Sequence, residues 1–421
     1  MCRAERVNSQ YTGAVTQAAD VMQEKEKSAR VLLLATGRWV STARLAMALR
    51  QAGCDVQLMS LRKHPAALTD VVTGHYRYRP LRPLESVRAA IEAAKPLALI
   101  PVDELAVAHL EELLQATDDA RFQQLVKRSL GGADVFHASH SRMTLMQAAM
   151  EEGIDAPETL SAESVRDVDL AAEQLGLPLV LKADATSGGQ GVRMVHSVAE
   201  ARKAWAQLHR PPSLPRAVWR ASAWGEWSHL RSWAGKRHRG VTAQKFLAGG
   251  ERTAMAVAQE GKVLACVCLE VIRTWKVRGP SSVLRIVSDA AMERAVRAVV
   301  RRLGVTGFCG FDFMLAEDGT PLLIEMNPRP TQLAHLPLGE GKDLVAAYAR
   351  TVLGVQASDR KMATAGDTIA LFPQELQRDL RSEFIANSYH DVPWQAPELV
   401  RYAIKPLPKI LVEDPRWTGA K

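Results

Sequence analysis

The chain has no Cys-x-x-Cys pair and no Cys/His cluster at zinc spacing; its five cysteines stand at 2, 54, 266, 268 and 309. So scattered and odd-numbered a set argues against a disulfide framework. It points to a reducing, cytoplasmic setting in which Cys54, Cys266, Cys268 and Cys309 are small core hydrophobes. Long apolar runs are missing too: VLLLA from Val31 and LALI from Leu97 fall far short of the ~20 residues that span a bilayer. No block of five like charges occurs, so the net charge of +8 fits an anionic small ligand or a solvated basic surface better than a nucleic-acid arm. There is no internal repeat, no low-complexity tract and no visible Ser-His-Asp arrangement. Residues 1–29, polar and without an apolar h-region, are expected to be a loose N-terminal extension rather than a signal peptide, with Met22 an alternative start.

What is present is a globular composition, 47% apolar and 24% charged over 421 residues, enough for two or three domains. VLLLATG reads as a buried strand from Val31 to Ala35, and Ser41-Thr42 offer N-caps for the helix TARLAMALRQAG, which Gly53 ends. CDVQLMS is a second strand, SVRAAIEAAK a helix, LALIP a strand and VDELAVAHLEELLQ a helix. That alternation predicts a small α/β domain with a doubly wound parallel sheet over residues 30–120. Asp118-Asp119 and Gly131-Gly132 read as loops, and SHSRMTLMQAAMEE reads as one helix. Further on, LGLPLVLKAD and VRMVHS flank a glycine run, and SVAEARKAWAQL is a helix. TAQKFLAGGERTAMAVAQEGKVLACVCLEVI is β-rich, with hairpin signals at Gly249-Gly250 and Glu260-Gly261. In DAAMERAVRAVVRRLG, Met292, Val296, Val299, Val300 and Leu303 form one helical stripe.

The strands around FDFML and PLLIEMN are joined through Asp318-Gly319, a strong hairpin signal. With those two as the loop, Thr320 faces Glu317, Pro321 faces Ala316, and Glu325 faces Asp312. Alternation puts Asn327 on the same face and turns Phe311, Phe313, Ile324 and Met326 to the other. Like charges directly opposed destabilise a sheet, and a divalent cation removes the penalty. Two carboxylates and a carboxamide oxygen are hard ligands suited to Mg²⁺ or Mn²⁺. A solvent-exposed polar face is the plainer alternative, but it would be expected to mix in Lys, Thr or Ser.

Thr186-Ser187-Gly188-Gly189-Gln190-Gly191 lacks the Gly-Lys-Ser/Thr of a Walker loop and is followed by a strand, unlike a Rossmann fingerprint. Taken alone it is equally an ordinary glycine hairpin or a flap whose N–H groups close over phosphates. Lys182 on the preceding strand can supply a cation to the same phosphates. The carboxylate hairpin in the same chain favours the flap.

In this order, PLVLKADATSGGQGVRMV, AQKFLAGGE and GFCGFDFML…PLLIEMNPRPTQLAHL resemble the ATP-grasp superfamily, in particular its carbamoyl-phosphate-synthase-like and biotin-carboxylase-like carboxylate–amine ligases. The resemblance covers roughly residues 95–355. It implies a pre-ATP-grasp domain over 30–120 and an ATP-grasp domain over 121–355, with a flap lobe at about 140–250 and a metal lobe at about 251–355. A C-terminal extension over 356–421 would pack on this core. The resemblance also implies that Lys182 contacts the nucleotide phosphates or adenine, and that Gly188, Gly189 and Gly191 form the flap. Gln244, Lys245, Phe246 and Leu247 would read the adenine edge, with Glu251 a ribose partner. Asp312, Glu325 and Asn327 would hold magnesium, and Arg329 would stabilise the transferred phosphoryl group. Many members carry a second lysine where Ser141-Arg142 stand here, and Arg142 keeps its charge. Asp312 stands where many relatives have Glu, which leaves one or two metals open.

The implied activity is an ATP- and Mg²⁺-dependent ligase that activates a carboxylate as an acyl phosphate for attack by an amine or similar nucleophile. The departures at Arg142 and Asp312 keep a non-catalytic nucleotide-binding protein as the alternative. Expected partners are a small-molecule carboxylate and an amine, with no nucleic acid and no membrane, and a homodimer left open. The Trp- and Arg-rich segment 219–239 could stack nucleic acid, but reads better as a packed insertion bordering the acceptor site. Arg285 is a candidate phosphate contact, with Arg273 and Lys276 behind it. His335 and the cysteine pair Cys266-x-Cys268 read as structural.

Overall fold

The computed structural model describes residues 29–184, 191–210, 240–276 and 279–405, with scattered positions between 213 and 233. Three sheets organise them. In the first, β1 (Arg30–Leu34), β2 (Asp55–Ser60), β3 (Val72–Arg77) and β4 (Ala98–Pro101) run parallel in the order β3-β2-β1-β4. Leu32 and Leu34 pack among Val87, Ala90 and Leu110, while Val31 and Leu33 pack with Ala43, Leu45 and Leu49. A strand buried on both faces needs apolar residues in both phases, which is why VLLL shows no alternation. Strand β3 escapes the sequence reading because it is a half-exposed edge strand, TGHYR, with a glycine inside it. The helix after β1 is Val40–Gln51, starting two residues before the predicted TARLAMALRQAG. Trp39 is at its N-cap without a side-chain cap.

The second sheet is antiparallel, in the order β5 (Thr159–Ser161), β8 (Val241–Lys245), β6 (Leu179–Ala183), β7 (Val192–Val195). Helices Val165–Leu175 and Val198–His209 back it through Val168, Ala171, Leu175, Ala201 and Leu208. The third sheet has seven strands. They are β9 (Glu251–Gln259), β10 (Lys262–Thr274), β11 (Ser281–Val287), β12 (Gly307–Leu315), β13 (Pro321–Asn327), β14 (Thr368–Ala370) and β15 (Tyr389–His390). Their order is β13-β12-β9-β10-β11-β14-β15.

Three local expectations are corrected. Gly249-Gly250 makes no hairpin, because β8 and β9 belong to different sheets. A Cβ on Gly249 would stand 2.0 Å from Leu315 O, so this glycine permits a close crossing. SHSRMTLMQAAMEE is two helices, Ala133–His140 and Arg142–Glu151, separated at Ser141, whose hydroxyl caps the second by accepting from Thr144 N–H at 3.3 Å. Asp118-Asp119 introduces a further helix, Ala120–Leu130, capped by Asp119.

One face of the seven-stranded sheet is sealed by the helix Ala290–Leu303, where Met292, Val296, Val299 and Val300 meet Cys309, Phe311, Phe313 and Met326. On the opposite face Met255, Val257 and Phe308 share one core with the helix Leu344–Thr351 and with Val31, Leu33 and Val56 of the first sheet. That shared core fixes the carboxyl ends of β1 and β4 beside the end of β13.

Residues after 356, which the sequence leaves without a role, contribute β14 and β15 and a buried acid. Asp391 accepts from Arg44 Nη2 at 2.5 Å and pairs with His335 Nε2 at 2.8 Å, while its backbone carbonyl accepts from Arg44 Nη1 at 2.6 Å. All three residues are at least nine-tenths buried. One carboxylate thereby joins the helix after β1, the loop after β13 and the C-terminal segment. Removing the acid leaves the buried Arg44 charged and unpaired. Asp391→Ala is expected to cost about 3–5 kcal/mol in urea unfolding, whereas cutting the exposed pair Arg202–Asp169 should leave the urea midpoint little changed.

Candidate functional site

The site lies where the second sheet, the end of the β12–β13 hairpin and the carboxyl edge of the first sheet converge. In the hairpin, Asp312 does face Glu325, with Phe311 opposite Met326 and Gly310 opposite Asn327. The route to that register differs from the predicted one. The loop holds three residues, Glu317-Asp318-Gly319, with Gly319 at φ +86° and Thr320 O accepting from Ala316 N–H at 2.8 Å. Pro321 therefore faces Leu315, one step out of the expected register, and a bulge between Asp312 and Phe313 restores it. Ile324 is the extra residue, half-buried, and Leu323 takes the core position expected for it beside Phe311, Phe313 and Met326.

Asp312 accepts from Thr253 Oγ1 at 3.1 Å, from the neighbouring strand β9. Asn327 Nδ2 approaches Asp312 Oδ2 at 3.5 Å, and Asn327 Oδ1 lies 3.5 Å from Arg329 Nη2. Burial, and then the Glu325 carboxylate, push the Asp312 carboxyl up. Among the described residues no three His, Cys, Asp or Glu gather as a metal cluster; the donors here are two acids and one carboxamide. Two opposed carboxylates, with an amide oxygen beside them, fit one hard divalent cation.

Cations close the other side. Lys182, on β6, is buried and donates to Gln244 Oε1 at 2.6 Å, and Gln244 Nε2 donates to Thr159 Oγ1 at 2.9 Å. Burial, then Arg142, pull the Lys182 amine down to about 8, with Glu325 and Asp312 opposing. Arg142, the first residue of its helix, donates to Ala183 O at 2.8 Å, pairs with Asp184 at 3.3 Å and approaches Glu325 Oε2 at 3.6 Å. Its Nε is buried without a partner. Arg329 pairs with Glu104 across the domain junction and donates to Pro330 O at 3.2 Å. Burial opposes the Arg329 charge, and Glu104 more than offsets it, so its pKa moves up.

The remaining expected residues are placed as follows. Gly188 and Gly189 lie outside the described residues. Gly191 O accepts from Ala183 N–H at 2.8 Å at the base of the β6–β7 pair. Gln244 is buried in β8, Lys245 ends that strand exposed, and Phe246 and Leu247 lie in the connection to β9. Glu251 opens β9 opposite Met314 on the Asp312 face. Arg285 does not reach the phosphate side: it faces Glu270 across β10, and Glu270 faces Arg252, on the sheet face opposite to Asp312. Of segment 219–239 only Trp219, Trp227, Leu230 and Trp233 are described. Sequence reasoning missed Thr253, Asp184 and Glu104. Glu104 carried a signal, since an acid just past the end of a parallel strand stands at the ligand edge of an open sheet.

The ATP-grasp domain family matches residues 226–332. A formate-dependent phosphoribosylglycinamide formyltransferase of Ignicoccus hospitalis is 24% identical over 251 residues, covering 56% of this chain and 56% of the relative. A D-alanine–D-alanine ligase of Cupriavidus necator is 25% identical over 245 residues, covering 54% of the chain and 63% of the relative. The chain thus spans 56% and 63% of the length of these two relatives. The N5-carboxyaminoimidazole synthase of Aspergillus clavatus, solved with ADP and its aminoimidazole ribonucleotide, shares the fold at a TM-score of 0.58 and 18% identity, over 80% of this chain and 79% of that one. A biotin carboxylase of Campylobacter jejuni, solved as an ATP complex, does so at 0.58 and 14%, over 79% and 72%. No helix among the described residues is long and apolar enough to cross a membrane.

A charged Lys182 in this pocket costs the folded state. The cost is present in full below pH 8 and is relieved as pH rises from 8 to the unfolded value of about 10.4. The stability difference between wild type and Lys182→Met, from urea midpoints, is expected to shift towards wild type by on the order of 1–3 kcal/mol between pH 7 and pH 10.5.

Proposed function

The chain belongs to the ATP-grasp superfamily, and from that membership we propose that it is an ATP-dependent ligase activating a substrate carboxylate for attack by an amine or similar nucleophile. One observation carries the reading: Lys182, Arg142 and Arg329 converge from two sheets and the domain junction on the opposed pair Asp312–Glu325. This is a surface of fixed positive charge around a metal-type donor set, as phosphoryl transfer from a nucleotide requires.

In this reading the carboxylate oxygen of the substrate bonds to the γ-phosphorus and ADP departs. The nucleophile then bonds to the acyl carbon, and inorganic phosphate leaves with the C–O electron pair. Lys182, buried and aimed by Gln244, holds the phosphate chain. Arg329 offsets charge on the transferred group when it exchanges Glu104 for substrate. Asp312, Glu325 and Asn327 would hold Mg²⁺ or Mn²⁺, which would neutralise the acid pair and supply positive charge to the phosphoryl group being transferred. Neighbours of this fold solved with ADP or ATP support the nucleotide. A small-molecule acceptor fits the junction at Glu104, without nucleic acid or membrane.

The approach of Arg142 to Glu325, at 3.6 Å, favours a second reading in which nucleotide binds without turnover. Pooled metabolites screened for substrate-stimulated ADP release separate the two. Stimulated, Mg²⁺-dependent release is expected, abolished by EDTA and reduced at least about 100-fold in Asp312→Asn, Glu325→Gln and Arg329→Ala. Unchanged turnover in the two acid variants would overturn the ligase reading. Nucleotide binding with no stimulation by any pool would favour the second.

A further inference from the structure

Open parallel sheets take ligands at the carboxyl ends of their strands, where the strand order reverses. In the order β3-β2-β1-β4 that point lies between β1 and β4, where Glu104 meets Arg329. The neighbouring loops on the same edge are basic: Arg38 follows β1, Arg62 and Lys63 follow β2, and Arg77 and Arg79 end and follow β3. Hydrogen bonds hold these loops side by side. Arg38 Nε donates to Arg62 O at 3.2 Å, Tyr78 N–H donates to Ser60 O at 2.8 Å, and Ser60 Oγ bonds His75 Nε2 at 2.7 Å.

Carboxylates that reach this edge are engaged elsewhere. Asp103 accepts from Thr36 N–H and Oγ1, both at 2.7 Å, from Gly37 N–H at 3.2 Å and from Ala106 N–H at 2.9 Å. Glu104 takes Arg329, and Glu85 takes Arg82 at 3.5 Å. None of Arg38, Arg62, Lys63, Arg77 and Arg79 forms an ion pair with a described residue. Beneath them His64 is fully buried, its Nδ1 accepting from Ala66 N–H at 3.1 Å, so that the proton sits on Nε2. That Nε2–H turns toward the Gly37 carbonyl without a hydrogen bond of normal geometry. Burial first, and then His75 and Arg38, hold this imidazole neutral, with a pKa down at about 3.

We propose that this edge is an anion subsite formed by Arg38, Arg62, Lys63 and Arg79, and that it takes the phosphate group of a phosphorylated small-molecule substrate. Guanidinium forks bind phosphate oxygens in pairs and are the fitting donors for a dianion. Adjacent strands lie about 4.8 Å apart, so the end of β2 stands roughly 10 Å from that of β4. A phosphorylated molecule of that length has its other end at Glu104 and Arg329. Trp39, 47% exposed with its indole over Gly37, gives the span a flat wall. The assignment of the far end as the reacting end rests on the ligase reading, whereas the anion subsite itself does not.

The test titrates inorganic phosphate into the full chain saturated with Mg²⁺ and a non-hydrolysable ATP analogue. Chloride holds the ionic strength constant, and binding is read by isothermal calorimetry. Saturable binding is expected, weakened at least tenfold in Arg62→Ala/Arg79→Ala and in the milder Arg62→Gln/Arg79→Gln, with far-UV dichroism and analogue affinity retained. Phosphate heat no larger than that of added chloride, or equal affinity in the folded double variants, overturns the proposal. Should the analogue fail to bind while phosphate binding still depends on Arg62 and Arg79, the nucleotide reading falls and the subsite stands.

Discussion

Two carboxylates forced face to face on one sheet are the constraint around which the rest of the molecule is arranged. Asp312 and Glu325 repel across the β12–β13 ladder, and burial sharpens that repulsion. Every element near them answers with a donor or a cation. Strand β9 brings Thr253, the helix after Ser141 brings Arg142, β6 brings Lys182, and the chain beyond β13 brings Arg329. The cations in turn need acids of their own, which is what Asp184 and Glu104 provide. The network as it stands is incompletely paired, as the buried Nε atoms of Arg142 and Arg329 illustrate.

The sheet makes this possible by dividing labour along one face. Near its β13 end Asp312, Thr253 and Glu325 stay open to the second sheet. Further along the same strands Met255, Val257 and Phe308 are sealed by the helix Leu344–Thr351 and the first sheet. A polar site and an apolar packing surface thus share the same strands. The opposite face, closed by the helix Ala290–Leu303, is where Arg285 and Glu270 went.

Much of this was legible in the residues because it is local. The periodicity of 290–303, the strand alternation of FDFML and the glycine run all depend on neighbours within a few positions. The pairing of Asp312 with Glu325 was legible for a partly mistaken reason. A loop one residue longer than Asp-Gly implies and a bulge at Ile324 cancel each other, and neither leaves a sign in composition. Thr253, Asp184 and Glu104 were not legible in the same way, because each acts across sheets or between the first sheet and the β13 end. Arg285 shows the reverse error: alternation proved it was on one face, but only the ladder through Glu270 and Arg252 says which.

The knot of Arg44, His335 and Asp391 bears on how the chain assembles. Arg44 and Asp391 are separated by 347 positions, so an arginine in the second element of the fold waits for a segment far along the chain to neutralise it. The first sheet can form its parallel ladder early, but the helix Val40–Gln51 carries an uncompensated buried charge until the end of the chain arrives. Contacts of such sequence separation are slow to close. A late native contact is then the one that joins the helix Val40–Gln51 to the segment at Asp391 and to the loop after β13. A polypeptide released before residue 391 would hold most of its strands and yet lack the acid that joins Arg44 to His335.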